Sequence, residues 1–250
     1  MRKYVAEFIG TFFLVSAVGH TGVGEGAGML APLAIGAMLL VMVFAGGHLS
    51  GAHYNPAVTL AVWLRGRIPW GQVPGYWVAQ VLGAWVASVG VLAMKPGVKV
   101  LAVEFPQGVG VPLAAEFLGT FALAYVVLNV ATARANADNG FYGLAIGFTV
   151  LSCALVFGGY SGGAFNPAVA VGMVGMGLAR ASELWVYLVA DLLAAGLAAV
   201  VFRTLSPGDV ESSGSESEGR SGAGAPAGAG GGACEGVAKT SLRSDSVELD

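Results

Sequence analysis

Ser50-Gly51-Ala52-His53-Tyr54-Asn55-Pro56-Ala57-Val58 returns 111 positions later as Ser161-Gly162-Gly163-Ala164-Phe165-Asn166-Pro167-Ala168-Val169. In each copy Asn stands before Pro. Asn is a favoured helix N-cap, and Pro fits the first helical position because its missing N–H breaks no helical bond. Each copy therefore predicts a helix start. The apolar stretches that follow, about 55–64 and 166–177, are near half the length needed to cross the roughly 30 Å hydrocarbon core of a bilayer. A helix that short cannot cross alone, and its irregular lead-in must be buried in protein or line a cavity. Both segments are expected to be re-entrant half-helices.

A second signature repeats in the same order. Ala6-Glu7-Phe8-Ile9-Gly10-Thr11-Phe12 recurs as Ala115-Glu116-Phe117-Leu118-Gly119-Thr120-Phe121, displaced by 109. Two signatures at nearly one offset mark a duplication. Around them lie six apolar runs long enough to span a bilayer, about 4–20, 28–46, 72–94, 111–132, 141–158 and 183–204. Each half, about 1–110 and 111–204, holds three spans, so the second half must enter the membrane inverted. Inverted repeats place a shared site near the bilayer midplane. The expected fold is an all-α membrane protein with six transmembrane helices and two half-helices.

Composition agrees. Only 11% of the 250 residues are charged and 56% are hydrophobic, where a soluble domain carries about 25% charged residues. Of the 12 Lys/Arg and 15 Asp/Glu, nine and seven respectively precede residue 205, so the net charge of −3 belongs mainly to the tail. No basic stripe exists for nucleic acid to follow. Residues 205–250 are rich in Gly, Ser, Ala and Glu and are expected to form a disordered acidic tail. Two cysteines, Cys153 and Cys234, are too few for a disulfide scaffold. The first apolar run reads as a retained helix rather than a cleaved signal. With the N-terminus inside, Arg2, Lys3, Arg65, Arg67, Arg134 and Arg203 fall on the cytoplasmic side, against Lys95, Lys99 and Arg180 outside. This asymmetry predicts cytoplasmic N- and C-termini; a plasma-membrane location is the expected one.

The function follows from the half-helices. Inversion brings their positive dipole ends, roughly half an elementary charge each, head to head at mid-membrane. Asn55 and Asn166 are then placed to donate side-chain N–H groups between them. The residues just ahead, Gly51, Ala52 and His53 in one copy and Gly162, Gly163 and Ala164 in the other, would turn carbonyl oxygens towards the lumen. Such a pore repels cations and passes small neutral polar molecules.

These same residues carry a family resemblance. Over about 4–204 the chain resembles the aquaporin, or major intrinsic protein, family. The resemblance rests on both Ala-Glu-Phe-x-Gly-Thr-Phe stretches, on His48 to Thr59 and Ser161 to Ala168, and on Ala79-Gln80 and Trp185-Val186-Tyr187. It implies a right-handed helical bundle and a homotetramer with one pore per subunit. It also implies a passive channel whose motif residues are Asn55, Pro56, Ala57, Asn166, Pro167 and Ala168. Most water channels of the family place Arg after the second motif; this chain has Val169. Counted from the motif asparagines, the other constriction positions fall at Ile35, Ala154 and Gly163. Such a filter has no charge, aromatic ring or imidazole, and should be wider and less polar than a strict water filter. Val169 resembles a tonoplast-type branch that passes water with urea or ammonia. Glycerol channels usually carry Arg-Asp where this chain has Val169-Ala170.

The remaining residues are read singly. Glu7 and Glu116 are acids within apolar spans, which is costly. Their matched places suggest acceptors for the N–H and hydroxyl groups of the re-entrant loops. Asp191 has no evident counterpart in the first half and is assigned to packing or a subunit contact. His48 and His53 are expected to satisfy buried backbone groups rather than to gate by pH. Cys153, beside Ala154, makes thiol block of the pore an expectation. No metal site, cofactor or catalytic residue is expected, since no acid–His cluster or nucleophile–base set has suitable spacing. The partners expected are water, small uncharged solutes and the lipid bilayer. A secondary transporter, or a structural protein that conducts poorly, would share the fold; the first would need coupling-ion ligands that the sequence does not offer.

Overall fold

The computed structural model describes residues 1–106 and 108–209. Of the disordered acidic tail predicted over 205–250, Leu205 instead closes the last helix and 207–209 are helical; the remainder lies outside the described residues. Among those residues every helix of eight or more belongs to one series. It comprises α1 Arg2–Gly22, α2 Ala31–Ser50, α3 Pro56–Leu64, α4 Val73–Met94, α5 Gly110–Thr132, α6 Tyr142–Ser161, α7 Pro167–Met176 and α8 Leu184–Leu205. Six of these elements are long and apolar enough to cross a membrane. Helices α3 and α7, of 9 and 10 residues, are the half-length pair.

The order repeats as α1–α4 and α5–α8. Within each half the first helix packs on the second and fourth, α1 with α2 and α4, α5 with α6 and α8. The halves join where α2 crosses α6 and where the half-helices change sides, α3 packing on α8 and α7 on α4. The α2–α6 crossing depends on two glycines 111 apart. A Cβ on Gly36 would stand 2.7 Å from the Gly147 carbonyl, and one on Gly147 would stand 2.5 Å from that of Gly36. Lipid supplies little hydrophobic drive between helices, so such close backbone approach holds them together by dispersion.

Helices α2 and α6 run further than hydropathy suggested, to Ser50 and Ser161 rather than 46 and 158. Their polar last turns stay helical because the backbone ladder continues to a left-handed cap, Gly51 at φ 86° and Gly162 at φ 90°. Glycine takes that conformation without a Cβ penalty. The chain then turns back through 52–55 and 163–166 into the half-helices.

Outward faces are apolar, with Leu82, Trp85, Leu155, Leu193 and Val200 exposed along the helices. Of the buried polar groups, Glu7, Gln80, Glu116 and Asp191 lie around the two loops instead.

Candidate functional site

Each half-helix is capped by its own asparagine. Asn55 Oδ1 accepts from Ala57 N–H at 2.8 Å and Val58 N–H at 3.4 Å; Asn166 Oδ1 accepts from Ala168 and Val169 N–H at 2.9 and 3.4 Å. With the oxygens so engaged, both amide nitrogens point away from their helices. Asn55 Nδ2 donates to the Phe165 carbonyl, and Asn166 Nδ2 to the Tyr54 carbonyl, each at 2.9 Å. One N–H of each amide is therefore committed across the repeat axis, which tertiary pairing alone decides. The second N–H of each amide is left over from these bonds.

The loops ahead are held from behind. Glu7 accepts four donors: Ser50 Oγ at 2.7 Å and His53 N–H at 2.9 Å on Oε1, Tyr54 N–H at 2.7 Å and Gln80 Nε2 at 2.8 Å on Oε2. Glu116 accepts Ser161 Oγ, Ala164 N–H at 3.0 Å and Phe165 N–H at 2.6 Å. Charge-assisted bonds of this kind are about twice as strong as neutral ones. Tyr76 and Tyr187, also 111 apart, donate their hydroxyls to the Ser50 and Ser161 carbonyls at 2.7 and 2.6 Å. These anchors hold Tyr54 at φ 48° and Phe165 at φ 47°, a conformation costing bulky side chains about 1–3 kcal/mol. Gly10 and Gly119 make room for the two rings, since a Cβ at either would collide with Tyr54 or Phe165. Loop N–H groups thus face the carboxylates. Among the described residues no protein donor is bonded to the carbonyls of Gly51, Ala52, His53, Gly162, Gly163 or Ala164.

Two cavities approach the loops from opposite faces of the bundle. One, of about 350 Å³, is lined by both asparagines and by Ile35, Ala154, Gly163 and Val169, so the four residues counted from the motifs come together around one space. Leu101 and Val103, from the connection before α5, join them. Nothing periodic in 95–109 could have shown this; Val103 is drawn in by its N–H bond to the Leu178 carbonyl at 2.9 Å. The other cavity, about 660 Å³, opens among Arg67, Ile68, Asn139 and His48 on the face where α1 begins and α8 ends. His53, Val127 and Ile146 line both.

Three single-residue readings change. Asp191 does have a counterpart: it stands 111 positions after Gln80, and each faces the loop-bearing glutamate of its own half. Following the repeat into α4 and α8 would have found it. Cys153 does not line the pore. Its Sγ lies 3.8 Å from the Gly119 carbonyl, between helices. His48 is exposed rather than buried against backbone, while His53 is buried and its Nδ1 meets the Thr59 hydroxyl at 3.1 Å. Among the described residues no group of three His, Cys, Asp or Glu is placed to hold a metal.

The sequence profile described as "Major intrinsic protein" matches residues 1–202. The chain is 38% identical over 217 residues to "Glycerol uptake facilitator protein-like 6" of Lactiplantibacillus plantarum, covering 84% of this chain and all of that one. It is 39% identical over 210 residues to "Aquaporin NIP1-1" of Zea mays, covering 78% and 71%. In fold it matches the aquaglyceroporin from Plasmodium falciparum with a TM-score of 0.71, at 22% identity, over 83% of this chain and 98% of the other.

Proposed function

Because the chain belongs to the major intrinsic protein family and is a passive channel for water and small neutral solutes, we propose that its selectivity comes from a wide uncharged constriction at Ile35, Ala154, Gly163 and Val169. Solutes pass from this constriction to the paired asparagines. There the second N–H of Asn55 and of Asn166 and the carbonyls of residues 51–53 and 162–164 replace their water hydrogen bonds. The dipole ends of α3 and α7 add positive potential at the same depth and turn cations away. Glu7 and Glu116 hold the loops in register for this.

The observation that carries the reading is the common cavity wall. An isoleucine, an alanine, a glycine and a valine line the same cavity as Asn166, which supports this reading. Such a wall leaves a solute with several hydroxyl or amide groups unopposed by a fixed charge. Urea, ammonia and glycerol should therefore pass along with water. A relative that is named a glycerol uptake facilitator is in keeping with this, although the Arg-Asp pair usual in glycerol channels is Val169-Ala170 here. The exposed apolar faces suit lipid on one side and neighbouring subunits of a homotetramer on the other. The basic residues gathered near the start of α1 and the end of α8 support a cytoplasmic orientation for that face, with the plasma membrane as the proposed host.

Stopped-flow light scattering on proteoliposomes tests the constriction. Wild type should shrink osmotically and then reswell in glycerol and in urea, and an internal pH dye should record ammonia entry. Val169→Arg should keep water flow and lose the larger solutes. If Val169→Arg changes none of these fluxes, the constriction lies elsewhere.

A further inference from the structure

The two halves of the bundle solve one hydrogen-bonding problem with different chemistry. Behind the first loop, Gln80 donates its amide to Glu7 Oε2 at 2.8 Å, so a neutral donor meets one carboxylate. Behind the second loop the matching position is Asp191, whose carboxyl lies against that of Glu116. Both side chains are fully buried, at 0% exposure. Two carboxylates cannot share a hydrogen bond unless one carries a proton, and a buried site will not hold two uncompensated like charges.

Donor counts say which one carries it. Glu116 accepts from Ser161 Oγ and from the Ala164 and Phe165 N–H groups. Asp191 Oδ1 accepts from Thr120 Oγ1 at 2.7 Å and the Asn166 N–H faces the same carboxyl, while Oδ2 has no hydrogen-bond partner among the described residues. An oxygen buried without a donor, beside a carboxylate already rich in them, is the natural place for an O–H. Among the described residues no cation is recorded against either carboxyl. Helix α7 and residues 162–166 hold no titratable side chain, nor does α3. Helix α6 brings Cys153 near Glu116; α8 brings Tyr187, with Glu183 further out; Tyr125 is the remaining ionisable residue of α5.

We propose that Asp191 and Glu116 share one proton, borne by Asp191, which donates to Glu116 as Gln80 donates to Glu7 and so positions the second Asn-Pro-Ala loop. The consequence is an acid that works as a neutral donor deep in a membrane protein, and a loop whose anchor depends on pH. The sign follows from proton counting. At neutral pH the folded chain holds one more proton than the unfolded one, whose carboxyls are ionised, so stability falls as pH rises. One bound proton of difference changes the unfolding constant about tenfold per pH unit.

Infrared spectroscopy of the full chain in lipid reads the proton directly. Wild type at neutral pH should show the carbonyl stretch of a protonated carboxyl, shifting in D2O. Asp191→Asn, nearly isosteric, should abolish it, because the Asn amide donates and Glu116 stays ionised. Asp191→Gln, the first half's own residue, should abolish it too. Water permeability of wild type should fall on going to alkaline pH, and that of Asp191→Asn should not. A wild type without the band, or a band that survives in Asp191→Asn, overturns the proposal even if every variant folds poorly. The infrared result is independent of which solutes the constriction admits, so a failure there is separable from a failure of the proposed selectivity.

Discussion

Glu7→Gln tests the loop anchor quantitatively, through atoms that do not line the pore. Two donors converge on each carboxylate oxygen of Glu7, Ser50 Oγ and His53 N–H on one, Tyr54 N–H and Gln80 Nε2 on the other. A glutamine keeps one oxygen and sets an NH2 where the second stood. Whichever way it turns, two donors then face a donor. Flipping the Gln80 amide does not help, because that breaks its 3.0 Å bond to Thr59 Oγ1. Each buried donor left without a partner costs about 1–3 kcal/mol, so Glu7→Gln should destabilise by about 2–6 kcal/mol. Glu116→Gln should be milder. Its oxygen can stay with Ser161 and Ala164, and its NH2 then meets Phe165 N–H and the carboxyl of Asp191. Asp191 can give up its proton and accept, which leaves one orphan and a cost of about 1–3 kcal/mol. Unfolding in detergent measures both losses, and osmotic permeability at matched protein density measures what reaches the pore. Tyr54 carries the carbonyl that Asn166 bonds, so Glu7→Gln should lower permeability as well as stability. A Glu7→Gln protein within about 0.5 kcal/mol of wild type, the range of an ordinary surface substitution, would refute the reasoning. So would a Glu116→Gln loss larger than that of Glu7→Gln.

Two further outcomes are expected. Val103→Phe enlarges a side chain that lines the cavity of the proposed constriction and stands over Gly162; it should slow glycerol and urea more than water in the reswelling assay, and an equal loss of all three would show that Val103 only packs. Gly36→Ala should cost about 1–3 kcal/mol by overpacking the α2–α6 crossing, while Gly90→Ala, with nothing within 4 Å of the new Cβ, should be neutral or stabilising by up to about 1 kcal/mol; thermal unfolding of the pair side by side separates crowding from glycine content.

Much of this molecule is written locally. An Asn before Pro-Ala caps a helix wherever it occurs, and the length of the apolar run decides whether that helix can cross a bilayer. Read twice at one offset, with three spans in each half, those local rules already require an inverted repeat with two half-helices. The glutamates were legible for the same reason, since an acid in an apolar span needs donors and the loops had them to offer. What the sequence could not supply was contact between positions far apart along the chain. That Asn55 spends an N–H on the Phe165 carbonyl depends on how α3 and α7 meet, and that Val103 reaches the cavity depends on a bond to Leu178. The sulfur of Cys153 faces Gly119 because of how α6 lies against α5; its neighbour Ala154, one step around the same helix, lines the cavity. Whether Asp191 is a packing residue or a proton-bearing partner of Glu116 is likewise a matter of which side chains share one buried space. Hydrogen-bond capping and hydrophobic length act within a few residues, so sequence alone determines them. Pairing of buried donors with acceptors acts across 70 or 110 positions, and only the packed bundle decides it.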